Sequence, residues 1–149
     1  MIPIILREDA ARLADRLPRI FAFNGAIPSA QLDAWLSERQ LTVPDDLKQV
    51  WQETGGGVVF ESEIILSPYG DRELGENVDS ENEFHRQKGM PVDWLLFHTG
   101  MNLRVIKMSS GEYASLQEGS YRVQETFRSF AEWYVNSIRK EYAARYGLR

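Results

Sequence analysis

The chain has 149 residues, 43% of them hydrophobic and 26% charged, a balance that excludes disordered and fibrous classes and suits one globular domain spanning residues 1–149. It contains no cysteine, which excludes disulfides, thiolate nucleophiles and cysteine-based zinc sites and points to a reducing, cytoplasmic compartment. The formal net charge of −5 is concentrated: Asp71, Glu73, Glu76, Asp79, Glu81 and Glu83 stand against Arg72 alone, and outside that stretch acids and bases balance.

The N-terminal apolar run Ile2, Ile4, Ile5 and Leu6 ends at Arg7, Glu8 and Asp9. It is too short for a secretory leader and carries its positive charge on the wrong side, and no window approaches the apolar length of a membrane span. Leu6, Ala10, Leu13 and Leu17 are spaced for one face of a helix that Pro18 stops. A loop through Asn24 and Gly25 follows. Pro28 and Ser29 open a second helix, with the Ser29 hydroxyl as its expected cap and Leu32, Trp35 and Leu36 as its apolar face. Pro44 suits the first turn of a third helix, where its missing N–H costs nothing. Asp45 and Asp46 favour the positive end of that helix. Leu47, Val50 and Trp51 make its buried stripe, and Gly55-Gly56-Gly57 ends it.

The period then changes. Val58, Phe60, Ile64 and Leu66 alternate with Glu61 and Glu63, which predicts one half-buried strand with both glutamates on its solvent face. Pro68–Gly75 reads as loop, and the polar Glu76–Lys88 as a short exposed helix or loop. Val92–Phe97 and Leu103–Met108 are apolar runs; Tyr113–Leu116 and Tyr121–Val123 read as two further short strands, all joined by turns that favour antiparallel pairing. Ser129 and Glu132 have capping-box spacing ahead of a closing helix, with Phe130, Trp133, Tyr134 and Ile138 on one face, extending to about Tyr146.

The run Leu41 to Gly57, with its Val43-Pro44-Asp45 entry, amphipathic helix and glycine exit into a strand, resembles the signature of the SUKH superfamily. Ser29–Leu36 is similar to the preceding helix of that family, Phe60–Pro68 to its first strand, and Thr126-Phe127-Arg128-Ser129-Phe130-Ala131-Glu132-Trp133 to its closing helix start, so the resemblance spans about Phe21 to Ile138. Many members carry a Gly-Asp-type turn between central strands; here Gly100 is followed by Met101 and Asn102. The resemblance implies an α+β fold, a mainly antiparallel sheet flanked by helices. It implies a cytosolic immunity protein that binds a cognate polymorphic or contact-dependent toxin domain, often a nuclease. The alternative is a regulatory or scaffold role like that of fungal relatives in cell-wall synthesis and signalling. Neither role requires a cofactor, a metal or catalysis.

The acidic segment, Asp71, Glu73, Glu76, Asp79, Glu81 and Glu83, is the sharpest candidate for partner binding, because an acidic surface mimics phosphate and accelerates encounter with a basic nuclease groove. The bland alternative is a solvated loop. Its acids do not have calcium-loop spacing. Tyr69, Tyr113 and Tyr121 are the aromatics expected at an interface, where tyrosine is enriched. His85, expected to be exposed, and His98, expected to be a satisfied strand-edge residue, are the only histidines and lack metal-ligand spacing. Gly55-Gly56-Gly57 follows a helix rather than preceding one and has no Lys-Ser or Lys-Thr after it, so it is no phosphate loop. A basic nucleic-acid footprint is absent, although Arg139, Lys140, Arg145 and Arg149 gather near the C-terminus.

Overall fold

A computed structural model describes residues 4–14 and 20–148. The chain runs α1 (Ile4–Ala14), β1 (Ala22–Phe23), α2 (Ser29–Glu38), α3 (Asp45–Thr54), β2 (Gly57–Val59), β3 (Glu63–Ile65), α4 (Val78–Gln87), β4 (Trp94–Thr99), β5 (Arg104–Lys107), β6 (Glu112–Leu116), β7 (Val123–Phe127) and α5 (Phe130–Tyr134). The last helix continues through a π-helical turn, Val135–Arg139, into α6, Lys140–Tyr142. All seven strands form one antiparallel sheet in sequence order. The α+β architecture with an antiparallel sheet and flanking helices is the one the SUKH resemblance implies.

The helix devices hold with three changes. Pro44 is the N-cap of α3 rather than a residue of its first turn, which holds Asp45 and Asp46, and Gly55 takes the left-handed conformation (φ 73°) that closes the helix. A Cβ on Gly55 would collide with the backbone of Gly25, so the glycine also permits a close approach of two chain segments. In α2 the cap position falls on Pro28 and no side chain caps it, so Ser29 is the first helical residue rather than the cap. Of the expected first-helix face, Leu6 is buried, whereas Leu17, Pro18 and the Leu13 side chain lie outside the described residues. The closing helix keeps its cap: the Glu132 N–H donates to Ser129 Oγ, and the Glu132 carboxylate accepts from the Arg128 N–H. Its regular helix ends at Tyr142 rather than near Tyr146.

Three strand expectations are corrected. The run Val58–Leu66 is a hairpin, because Phe60 (φ 48°) and Glu61 (φ 66°) take left-handed backbone and reverse the chain. The loop through Asn24 contains the two-residue strand β1, paired with β2. The last strand is Val123–Phe127, so Thr126 and Phe127 belong to the sheet and Tyr121 to the turn before it.

The core is aromatic. Trp51, Trp133, Tyr113, Tyr134, Phe60, Phe97 and Phe130 are fully buried. Phe97 meets Trp133 edge-on at 4.8 Å between ring centroids, and Trp133 meets Phe130 at 5.1 Å, geometry the ring quadrupoles favour. Asp46 ties three elements together: its carboxylate accepts from the Tyr113 hydroxyl, the Phe130 N–H at 2.7 Å and the Leu47 N–H at 2.8 Å. Tyr113 is therefore a core anchor rather than an interface tyrosine; its hydroxyl is spent on Asp46, and burial pushes it well above the usual tyrosine range.

Candidate functional site

The acidic segment is built into the fold. Its first part is a turn in which Asp71 Oδ1 accepts the N–H groups of Glu73 and Leu74. Asn77 then caps α4 by accepting the Ser80 N–H, and Ser67 bridges Asn77 in a parallel ladder step. The helix docks by Val78 and Asn82, both buried. Asn82 works as a surrogate strand residue. Its amide donates to Leu96 O at 2.9 Å and its carbonyl accepts the Leu96 N–H at 2.7 Å. Arg86 reaches the Trp94 carbonyl at 2.9 Å. The polar stretch Glu76–Lys88 is thus a fixed helix in which apolar burial is sparse and backbone recognition supplies the anchoring.

That anchoring sorts the six acids. Asp71, Glu73 and Glu83 are exposed; Glu76, Asp79 and Glu81 are half-buried. Asp79 is engaged in a fork with Arg39, whose Nε and Nη2 lie 3.0 and 2.8 Å from its oxygens, and Arg39 in turn lies 4.2 Å over the Trp35 ring. Burial holds the Glu81 carboxyl above its ordinary value. Tyr69 is exposed, beside the acidic turn, and Leu74 is 69% exposed within it. Tyr121 is half-buried and hydrogen-bonded through its hydroxyl to His85 Nδ1 at 2.9 Å, so His85 is a packed residue rather than an exposed one. Tyr69, Asp71, Glu73 and Glu83 are exposed, Tyr121 lies against His85 in the second half of α4, and Tyr113 is buried.

A second feature had no counterpart in the sequence reading. Glu63 is fully buried and faces Arg104, itself 3% exposed, at 3.3 Å. Glu61 lies exposed in the hairpin turn, so the two glutamates do not share a face. Burial outweighs the ion pair for both partners: the Glu63 carboxyl is held above its ordinary value and the Arg104 guanidinium below its own. The pair shapes the β4–β5 turn. Glu63 accepts the Met101 N–H at 3.1 Å, Arg104 donates to the Asn102 carbonyl at 2.6 Å, and a Cβ on Gly100 would collide with the Glu63 carboxylate. The sequence carries each half of the pair, an acid beside Ile64-Ile65 and a base beside Val105-Ile106, but their pairing is set by strand register.

The pinned turn separates two grooves. One, of about 450 Å³, runs between the turn, His85 of α4, Lys88 just beyond that helix, and Gly119–Tyr121. The other, of about 490 Å³, lies between the turn, Ser62 and Tyr142. Met101 lines both and is 60% exposed.

Among the described residues no group of three His, Cys, Asp or Glu side chains could hold a metal. His98 is fully buried on β4, between β3 and β5, not at a sheet edge. Neither of its ring nitrogens has a hydrogen-bond partner among the described residues; its ring packs edge-on against Trp133 at 4.9 Å. No described helix is long and apolar enough to cross a membrane.

An antiparallel sheet flanked by helices, with charged side chains displayed on α4 and on the turns, defines an α+β protein. Residues 26–136 match the SMI1 / KNR4 family (SUKH-1), and the chain belongs to that family. No curated protein matches it. Among solved structures, a protein from Pseudomonas syringae pv. tomato shares the fold with a TM-score of 0.65 at 14% identity, over 88% of this chain and 96% of that one.

Proposed function

We propose that this chain is a non-enzymatic cytosolic immunity protein that binds and neutralises one cognate toxin domain with a basic active surface, such as a nuclease. Membership of the SUKH-1 family supports a binding role. The observation that carries the toxin reading is the placement of the net charge: the residues that make the chain acidic sit on an ordered turn and helix, held by Asn77, Asn82 and Arg86, with Asp71, Glu73 and Glu83 turned to solvent. An acidic patch that is fixed rather than floppy presents a constant field to a basic partner and loses little entropy on docking.

The test is calorimetric titration and association kinetics against the toxin domain encoded beside the gene. Tight one-to-one binding is expected. Reversal of Glu73 and Glu83 to Lys should slow association about tenfold or more at low salt, with the difference shrinking as salt rises. Asp79 is left intact in this test because its carboxylate holds Arg39, and its replacement would disturb the fold. A wild-type chain that binds no such domain would exclude the immunity role and favour the scaffold role.

A further inference from the structure

We infer that Asn24-Gly25 is a self-modification site, at which the chain converts its own asparagine to aspartate and isoaspartate, and that docking of this pair against the end of α3 is the gate that holds the reaction back. The inference is independent of the toxin reading. Of the five asparagines, only Asn24 is followed by glycine. Asn77 and Asn82 are buried, and Asn102 and Asn136 precede Leu103 and Ser137, whose side chains shield the next backbone nitrogen. In an Asn-Gly pair the glycine nitrogen gives up its proton and attacks the side-chain carbonyl carbon of the asparagine. A bond from the Gly25 nitrogen to Asn24 Cγ closes a five-membered succinimide, the Cγ–Nδ2 bond breaks, and ammonia leaves with the proton. Water then opens the ring at one of its two carbonyls. One opening gives aspartate, the other isoaspartate, in which the backbone runs through Cβ and Cγ.

Three observations build the site and its gate. Asn24 and Gly25 are both exposed, so water reaches the ring and ammonia escapes, yet the reacting atoms are held. The Gly25 N–H donates to the Thr54 carbonyl at 2.9 Å, the Asn24 N–H to the Gly56 carbonyl at 2.9 Å, and Asn24 Nδ2 to the Gly55 carbonyl at 3.3 Å. Nucleophile and leaving group are thus tied to the same exit of α3, and attack requires the release of both. Second, the fold demands the residue that makes the pair reactive. Gly25 has φ 110°, which residues with a side chain rarely adopt, and the same missing side chain leaves its nitrogen open to attack. Third, the docked segment has no slack, because a Cβ on Gly55 would collide with the Gly25 carbonyl. Isoaspartate adds one backbone atom between the nitrogens that bond Gly56 and Thr54, so the two bonds no longer fit together. Aspartate sets a carboxylate against the Gly55 carbonyl. The product does not re-dock in the native form, and β1, a two-residue strand at the sheet edge, loosens with it. Each modified chain records one local opening.

The test incubates the full chain at mildly alkaline pH, with and without urea below the unfolding midpoint, beside a peptide of residues 20–29. Mass-spectrometric mapping locates each exchange of a side-chain NH2 for OH, and isoaspartate-specific methylation identifies the isomer. In the folded chain Asn24 is expected to convert ahead of the other asparagines. Its rate should be about tenfold or more below that of the peptide, the suppression that two backbone hydrogen bonds supply, and the gap should close as urea rises. Thr54→Ala removes the hydroxyl that accepts the Gly56 N–H and donates to the Val50 carbonyl, and it should speed conversion of the folded chain severalfold. A thermal melt checks that this variant folds; if it does not, the urea series on the wild-type chain decides. Asn24→Gln, which cannot close the five-membered ring, should stay unmodified at residue 24. The isoaspartate form, separated by ion exchange, should lose amide-exchange protection at Gly25. An Asn24 that stays intact in the folded chain while the peptide converts, or a different asparagine converting first, would overturn the site. A folded-chain rate equal to that of the peptide would overturn the gate.

Discussion

His98 carries a consequence that no contact pattern around it softens. Its imidazole is fully buried beside Trp133, and its register partner on β5 is Arg104. Burial first, and the Arg104 charge second, hold it well below its ordinary value of 6.5. The folded chain therefore keeps His98 neutral at a pH where the unfolded chain protonates it. The unfolded state binds the extra proton below about pH 6.5, so stability is full above that value and falls as pH drops, by up to about 1.4 kcal/mol per pH unit for one proton. His85, also held low by burial, acts in the same direction, so the informative quantity is a difference between variants. Urea unfolding of wild type and His98→Phe between pH 5 and 7.5 should show the pH slope reduced by about one proton in the variant. Equal slopes would mean that His98 titrates normally in the folded chain.

At the scale of elements, α4 shows what the sequence disclosed and what it did not. The helices α2 and α3 were legible because their information is local: a proline entry to each, the stripes Leu32, Trp35 and Leu36 and Leu47, Val50 and Trp51, and a glycine exit from α3. In α4 the inward positions are Val78 and Asn82, and an asparagine in a polar run looks like surface until its strand partner is known. The hairpin at Phe60–Ser62 was missed because Phe60 continues an apolar alternation while its backbone turns. The Glu63–Arg104 pair, 41 positions apart, and the Met101 turn it pins depend on register, which single-strand patterning does not encode. The role of Asn82 is directly testable. Asn82→Ala removes both hydrogen bonds to Leu96 and leaves buried backbone groups unpaired, a loss of about 2–3 kcal/mol. Amide exchange should show protection at Leu96 collapsing towards the local opening of α4, while Val105 and Ala114 on the interior strands keep theirs. Unchanged exchange at Leu96 would mean that α4 is only peripheral to the sheet.

The whole molecule has to keep its sheet from growing. A seven-stranded meander has two edges, and unpaired edges invite other strands. One edge, β1, is two residues long, too short to template a partner. The other, β7, has five residues, of which Gln124, Glu125 and Thr126 are exposed in succession. Two devices blunt it. Ser115 pairs with Glu125 and Leu116 with Val123, so Gln124 is an extra residue that interrupts the ladder. Glu125 then places a charge at the middle of the strand, and antiparallel pairing of two β7 edges centred there sets it against its own copy, a repulsive arrangement. Removing the charge should therefore open a self-association route that removing a neighbouring polar residue does not. Glu125→Val is expected to show concentration-dependent association by sedimentation velocity, and Thr126→Val far less. Deletion of Gln124 in the Glu125→Val background should strengthen it by restoring a regular ladder. If Glu125→Val sediments as wild type does at every concentration, the bulge at Gln124 suffices to close the edge, and the acid at 125 is free to serve the surface instead.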